Sequence, residues 1–146
     1  MKLYLDCCCY NRPYDDQNQE KIHMEGEAIL AILNRCKQQN DEIVGSPALE
    51  LEIDRIDDIE KREKVKYFYD QTITIRTNYT ANILRRVQEL SEQTNMRTLD
   101  KFHLSFAENS EVDILLTTDT KFEKASSKLE LKIKVINPLK YLLEAV

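Results

Sequence analysis

Five short strand-like runs, each followed by a stretch of helical periodicity, pattern this sequence, and that alternation leaves few folds open. The runs are Met1–Leu5, Glu42–Val44, Ile73–Arg76, Ile114–Thr117 and Leu131–Ile136. Between the first two, Ile22, Ala28, Ile29, Ile32, Leu33 and Cys36 recur at helical spacing from about Asn18 to Gln38. The charged segment Asp57–Tyr69 and the segment Tyr79–Gln93, through Ile83, Leu84, Val87 and Leu90, read as two more helices. Strands alternating with helices pair through crossovers and form a parallel sheet that must be covered on both faces. The expectation is an α/β fold: a three-layer α/β/α sandwich around a central five-stranded parallel sheet, with residues 1–146 as a single domain.

Local punctuation supports these boundaries. Asn11–Asp16 is loop-forming through Asn, Pro and Asp. Ser46 followed by Pro47 supplies an N-cap and a proline at the first helical position. Thr98 is placed to cap a helix from Leu99 to Asn109, and Asn137-Pro138 closes the last strand before a short terminal helix. Cys7, Cys8 and Cys9 are expected to act as small buried hydrophobes at a strand end, because consecutive strand side chains diverge and cannot converge on one ion. Tyr10 is expected to pack on a neighbouring helix, and Tyr14 is a candidate to stack on a base. His23 and His103 each look isolated, with no further ligand candidates at helical spacing.

Composition narrows the class further. With 42% hydrophobic residues, 2 Gly and 3 Pro, the chain is neither disordered nor collagen-like. Its 26 acidic residues against 21 basic ones, a net charge of −5, exclude the broad basic field of a protein that coats nucleic acid. No apolar run approaches the roughly 18 to 20 residues that cross a bilayer, and the N-terminal residues lack the pattern of a secretory signal. The expectation is a cytoplasmic protein with no membrane association and with reduced thiols.

In open parallel sheets, ligands bind beyond the carboxyl ends of the strands. Asp6 ends the first run and Asp119 follows the fourth, and the two are neighbours if the first strand is central. Asp100 lies in the first turn of the helix leading into the fourth strand, and Glu52 in the first two turns of the helix after the second. Four carboxylates on one edge repel unless a cation neutralises them, and Mg²⁺ or Mn²⁺ suits oxygen ligands. Each acid also has a plainer role: Asp100 at a helix dipole, Asp119 as the cap of the Lys121–Lys124 turn, Glu52 as a solvated helix residue.

The segments "YLDCCCYNRPYDD", "IVGSPALELEIDR" and "LDKFHLSFAENSEVDILLTTDTKF" together resemble PIN-domain nucleases of the small bacterial toxin-like subgroup, over nearly the whole chain. The resemblance implies a metal-dependent ribonuclease whose acids are Asp6, Glu52, Asp100 and Asp119, with Ala107 as the small residue on the Asp100 helix. Asp6 and Asp119 would be direct ligands of Mg²⁺ or Mn²⁺, and hydrolysis of RNA would leave a 5′-phosphate. Arg12, Lys101 and Lys121 lie beside these acids as candidates for substrate phosphates, and Asn11, Ser46 and Thr117 as supporting polar residues. Partners implied by the resemblance are an RNA substrate, an antitoxin that inserts a cation among the carboxylates, and a second copy in a homodimer.

The chain departs from the family at Cys7 and Cys8, where many members carry a hydroxyl or amide after the first aspartate. That departure keeps a second reading open, a PIN-like binding or regulatory module with a weak metal site. Two enzyme and signalling alternatives fit less well. A haloacid-dehalogenase-type phosphatase needs an acid two residues after Asp6, where Cys8 stands. A receiver domain needs an acidic pair before the first strand, which is absent, and a lysine at the end of the last, whereas Lys132 and Lys134 lie within that strand.

Overall fold

A computed structural model describes residues 1–145. Its strands are β1 (Lys2–Leu5), β2 (Glu42–Gly45), β3 (Ile75–Arg76), β4 (Ile114–Leu116) and β5 (Lys134–Ile136). They form one parallel sheet in the order β3-β2-β1-β4-β5, so β1 is central and the chain reverses its direction of travel across the sheet there. Leu3, Tyr4 and Leu5 have no solvent exposure at all. Three consecutive strand residues point to alternate faces, so both faces of β1 are covered, as a parallel sheet requires.

The helices are α1 (Cys7–Asn11), α2 (Glu20–Gln39), α3 (Pro47–Asp54), α4 (Ile59–Thr72), α5 (Ala81–Gln93), α6 (Thr98–Asn109), α7 (Thr120–Ser126) and α8 (Pro138–Ala145). A 3-10 turn, Arg12–Tyr14, joins α1 to the loop before α2. Helix α2 packs on α8, α3 on α4, and α5 on α6. Side-chain caps start most of the helices that follow strands or loops. Ser46 accepts from the Leu49 amide at 3.2 Å, Asp58 from Lys61 at 3.1 Å, and Thr80 from Ile83 at 3.4 Å. Asn40 ends α2 in the left-handed region at φ 58°, a conformation that Asn adopts more readily than most side chains.

Several expectations change in detail. The three cysteines stand in a short helix and not at a strand end, because the Asp6 carboxylate accepts the Cys7 amide at 2.7 Å and caps a turn there. Strand β3 begins only at Ile75, since the Thr74 hydroxyl accepts the Ile43 amide at 2.9 Å, a position a regular ladder would give to backbone. Strand β5 begins only at Lys134; the Lys132 amide donates instead to Glu108 at 3.0 Å. Helix α6 starts at Thr98 itself with Arg97 in the cap position, so Thr98 caps nothing. Tyr10, by contrast, packs on a neighbouring helix as expected: it is fully buried and edge-on to Phe68 and Tyr69 of α4.

Glycine is required at one place in the sheet. A Cβ on Gly45 would lie 2.8 Å from Ile73 Cδ1 and closer still to the Tyr69 hydroxyl. That hydroxyl accepts the Ser46 amide at 3.1 Å and donates to Glu50 at 2.9 Å.

Candidate active site

The carboxyl ends of β1, β2 and β4 open onto one edge, and the residues just beyond them are polar: Asp6, Ser46, and Thr117 to Asp119. Asp6 is almost fully buried. Its Oδ1 accepts the Cys7 amide, and its Oδ2 accepts the Thr117 hydroxyl at 2.8 Å. The Cys8 thiol, 3.4 Å from Oδ2, adds a weak donor where the family pattern has a hydroxyl or amide. Burial pushes the Asp6 carboxyl above its ordinary range; His103 opposes that shift, while Glu52 and Asp100 add to it.

Facing Asp6 across the edge are Glu52 from α3 and His103 from α6. His103 Nε2 is hydrogen-bonded to Glu52 Oε1 and lies 3.6 Å from Asp6 Oδ1. Burial works to lower the His103 pKa, but the bond to Glu52 and the charges of Asp6 and Glu52 outweigh it and raise it. Burial likewise works to raise Glu52, but the hydrogen bond and charge of His103, with Arg97, leave it below its ordinary value. Asp100 lies beside this trio, buried and held by Arg97 through Nη2 at 2.9 Å and Nε at 3.2 Å. Arg97 also reaches Glu52 at 3.8 Å, and its side chain is 61% exposed.

One ligand atom each from Asp6, Glu52 and His103 lie within 4.8 Å of one another. Two carboxylate oxygens and an imidazole nitrogen, largely withdrawn from water, form a donor set that fits a divalent cation. Among the described residues this is the one such group, and no cysteine belongs to it. His103 is the residue that the reading of the sequence discarded as isolated. The available signal was its position three residues after Asp100, which places both on one face of α6.

The structure distributes the remaining candidates unevenly. Asp119 stands at the same edge, joined to Asp6 through Thr117, whose hydroxyl accepts the Asp119 amide at 3.1 Å while donating to Asp6. Asp119 Oδ1 caps α7 by accepting the Phe122 amide at 3.1 Å, which is the plainer role foreseen for it. Ser46 caps α3 and lies 2.7 Å from the Tyr4 hydroxyl. The Asn11 amide nitrogen contacts Cys7 Sγ at 3.8 Å, and its buried oxygen has no hydrogen-bond partner among the described residues. Arg12 points elsewhere: it pairs with Glu25 at 2.9 Å and Asp15 at 2.8 Å. Lys101 and Lys121 form no ion pair among the described residues, and Lys121 is exposed.

No protein-family model matches the sequence, and no curated protein matches it either. The fold itself has solved counterparts and is PIN-like, as the resemblance implied. VapBC2 from Rickettsia felis, solved bound to a DNA fragment from its promoter, superposes with a TM-score of 0.67 at 14% identity, over 94% of this chain and 98% of that one. VapBC-1 from nontypeable Haemophilus influenzae gives a TM-score of 0.60 at 13% identity, over 95% of this chain and 99% of that one. The likeness at such identity is one of architecture.

Proposed function

We propose that this protein is a divalent-metal-dependent endoribonuclease and the toxin of a toxin–antitoxin pair, acting in the cytoplasm. The observation that carries the reading is the convergence of Asp6, Glu52 and His103 within 4.8 Å at the carboxyl edge of a PIN-like sheet. The fold shared with VapBC complexes supports an antitoxin partner. A homodimer is the further assembly that the resemblance implies.

Asp6 and Glu52, with Asp100 and Asp119 on the flanks, would hold one or two Mg²⁺ or Mn²⁺ ions. A bound ion of this kind supplies Lewis acidity, activating water and offsetting charge on the phosphate. The chain's own residues prepare the place. Thr117 and the Cys7 amide fix both oxygens of Asp6, so its orientation is set before any ligand arrives. Arg97 pins Asp100 while much of its side chain stays in solvent, where a phosphate can meet it. Lys101 and Lys121, at the start of α6 and α7, add cations that form no ion pair among the described residues. Arg12 is withdrawn from that role by its two carboxylate partners.

The test is cleavage of a pool of end-labelled RNAs with Mn²⁺, with chelator, and with Asp6→Asn. Metal-dependent products bearing a 5′-phosphate, absent with chelator and in the variant, are the expected result. Intact RNA at full Mn²⁺ occupancy would overturn the nuclease reading and favour a PIN-like regulatory module. That second reading draws on Arg97 and His103, which already sit as counter-charges among the acids.

A further inference from the structure

His103 has an environment unlike that of a histidine that only balances charge. Its ring is fully buried and lies 5.7 Å from the Tyr4 ring, centre to centre, so it has no room to turn towards solvent. Nδ1 is 2.7 Å from the Tyr4 hydroxyl, which is itself 2.7 Å from Ser46 Oγ. Ser46 Oγ accepts the Leu49 amide in turn. This fixed set of partners from β1 and the start of α3 satisfies Nδ1 and leaves Nε2 directed between two carboxylates from separate elements. A ring nitrogen tied by a structural partner, with the other aimed at acidic ligands, is the arrangement that supports metal-binding histidines.

We propose that His103 Nε2 is a direct nitrogen ligand of the ion held by Asp6 and Glu52, and that it makes the site select Mn²⁺ over Mg²⁺. The inference rests on the metal-dependent reading above. Mg²⁺ prefers oxygen donors and gives up its water reluctantly, whereas an imidazole suits first-row transition ions. On ion entry the proton between Nε2 and Glu52 leaves to solvent, and Nδ1–H remains bonded to the Tyr4 oxygen. Tyr4 is then a positioning residue, two places before Asp6 on the central strand.

The test is pulsed electron paramagnetic resonance on the Mn²⁺-loaded protein, with and without ¹⁵N-labelled histidine, beside Mn²⁺ and Mg²⁺ titrations. The expected result is a ¹⁴N modulation of the Mn²⁺ echo that changes to the ¹⁵N pattern on labelling. The chain has two histidines, and His23→Gln leaves the signal in place because His23 lies exposed on α2. His103→Gln should weaken Mn²⁺ binding by more than the about 10- to 100-fold typical of losing a partner that only orients a ligand, and Mg²⁺ binding far less. Tyr4→Phe should keep the nitrogen signal while weakening Mn²⁺. Labelling of the wild type decides the matter even where His103→Gln does not fold. Mn²⁺ binding without nitrogen modulation overturns this inference and leaves the carboxylate site standing. Absence of Mn²⁺ binding overturns both.

Discussion

Glu25 and Asp6 are buried to nearly the same depth, one on helix α2 and the other at the end of β1, yet their surroundings differ in kind. Each oxygen of Glu25 has a fixed donor: Arg12 Nε at 2.9 Å and Asn137 Nδ2 at 2.8 Å. Arg12 is shared with Asp15, which pairs with Lys61 at 2.6 Å, so two carboxylates meet two permanent cations. Asp6 takes its shortest hydrogen bonds from neutral groups and faces Glu52 and Asp100, with His103 and Arg97 as cations close by. The first cluster is closed and joins the 3-10 turn, α2 and the start of α8. The second is left acid-rich, with burial raising its central carboxyl, which is costly for a structural cluster and useful for one that binds a cation.

The sharpest way to break this contrast is Arg12→Ala. It leaves Glu25 buried without its cation and should cost about 3–5 kcal/mol, read as a fall in the urea midpoint. A neutral outcome would reopen the assignment of Arg12 to substrate phosphate. Asp6→Asn should leave the metal-free protein as stable as wild type or more so, because carboxylate repulsion is relieved. Next in size is the ion itself. Mn²⁺ at 100 times its dissociation constant should stabilise the wild type by about 2.7 kcal/mol, with no shift in Asp6→Asn by thermal melting. If Asp6→Asn responds as the wild type does, the ion sits elsewhere.

Asp119 offers a smaller test within the same edge. Asp119→Ala should cost about 1 kcal/mol through the lost cap of α7, while Asp119→Asn keeps the cap and should match the wild type in stability. A drop in Mn²⁺ affinity for Asp119→Asn would then report its charge alone. The gentlest effect is that of pH on the metal-free protein. His103 and Asp6 both titrate higher folded than unfolded, so their contribution is present below about 6.5 and about 3.9 respectively and is lost as pH rises through the folded values. Glu52 titrates lower when folded, so its contribution is present above about 4.3 and is lost as pH falls through its folded value. Stability should therefore peak in mildly acidic solution and decline towards alkaline pH, and His103→Gln should flatten the alkaline decline.

What could be read in advance follows from how local each signal is. The five strands, the Ser46 cap and the edge position of Asp6 and Asp119 rest on periodicity and turn chemistry, visible within a few residues, whereas the central place of β1 stood only as a condition and is supplied by the fold. Glu52 and Asp100 became site candidates by their places on helices together with the resemblance, which singled out Glu52 over its neighbour Glu50. His103 and Arg97 did not: each lies three residues from Asp100, but their contacts with Glu52 exist only when α3 and α6 meet. Arg12 shows the converse. It neighbours the acids in sequence, but α1 and the turn after it carry it towards Glu25 on α2.

Gly45 bears on how the protein tolerates change. The space that a methyl group would fill is occupied by the Tyr69 hydroxyl, which holds the Ser46 amide, and Ser46 in turn meets Tyr4 beside His103. A library randomised at position 45 and selected for metal-dependent activity should return a single letter, although that residue contributes no atom to the chemistry.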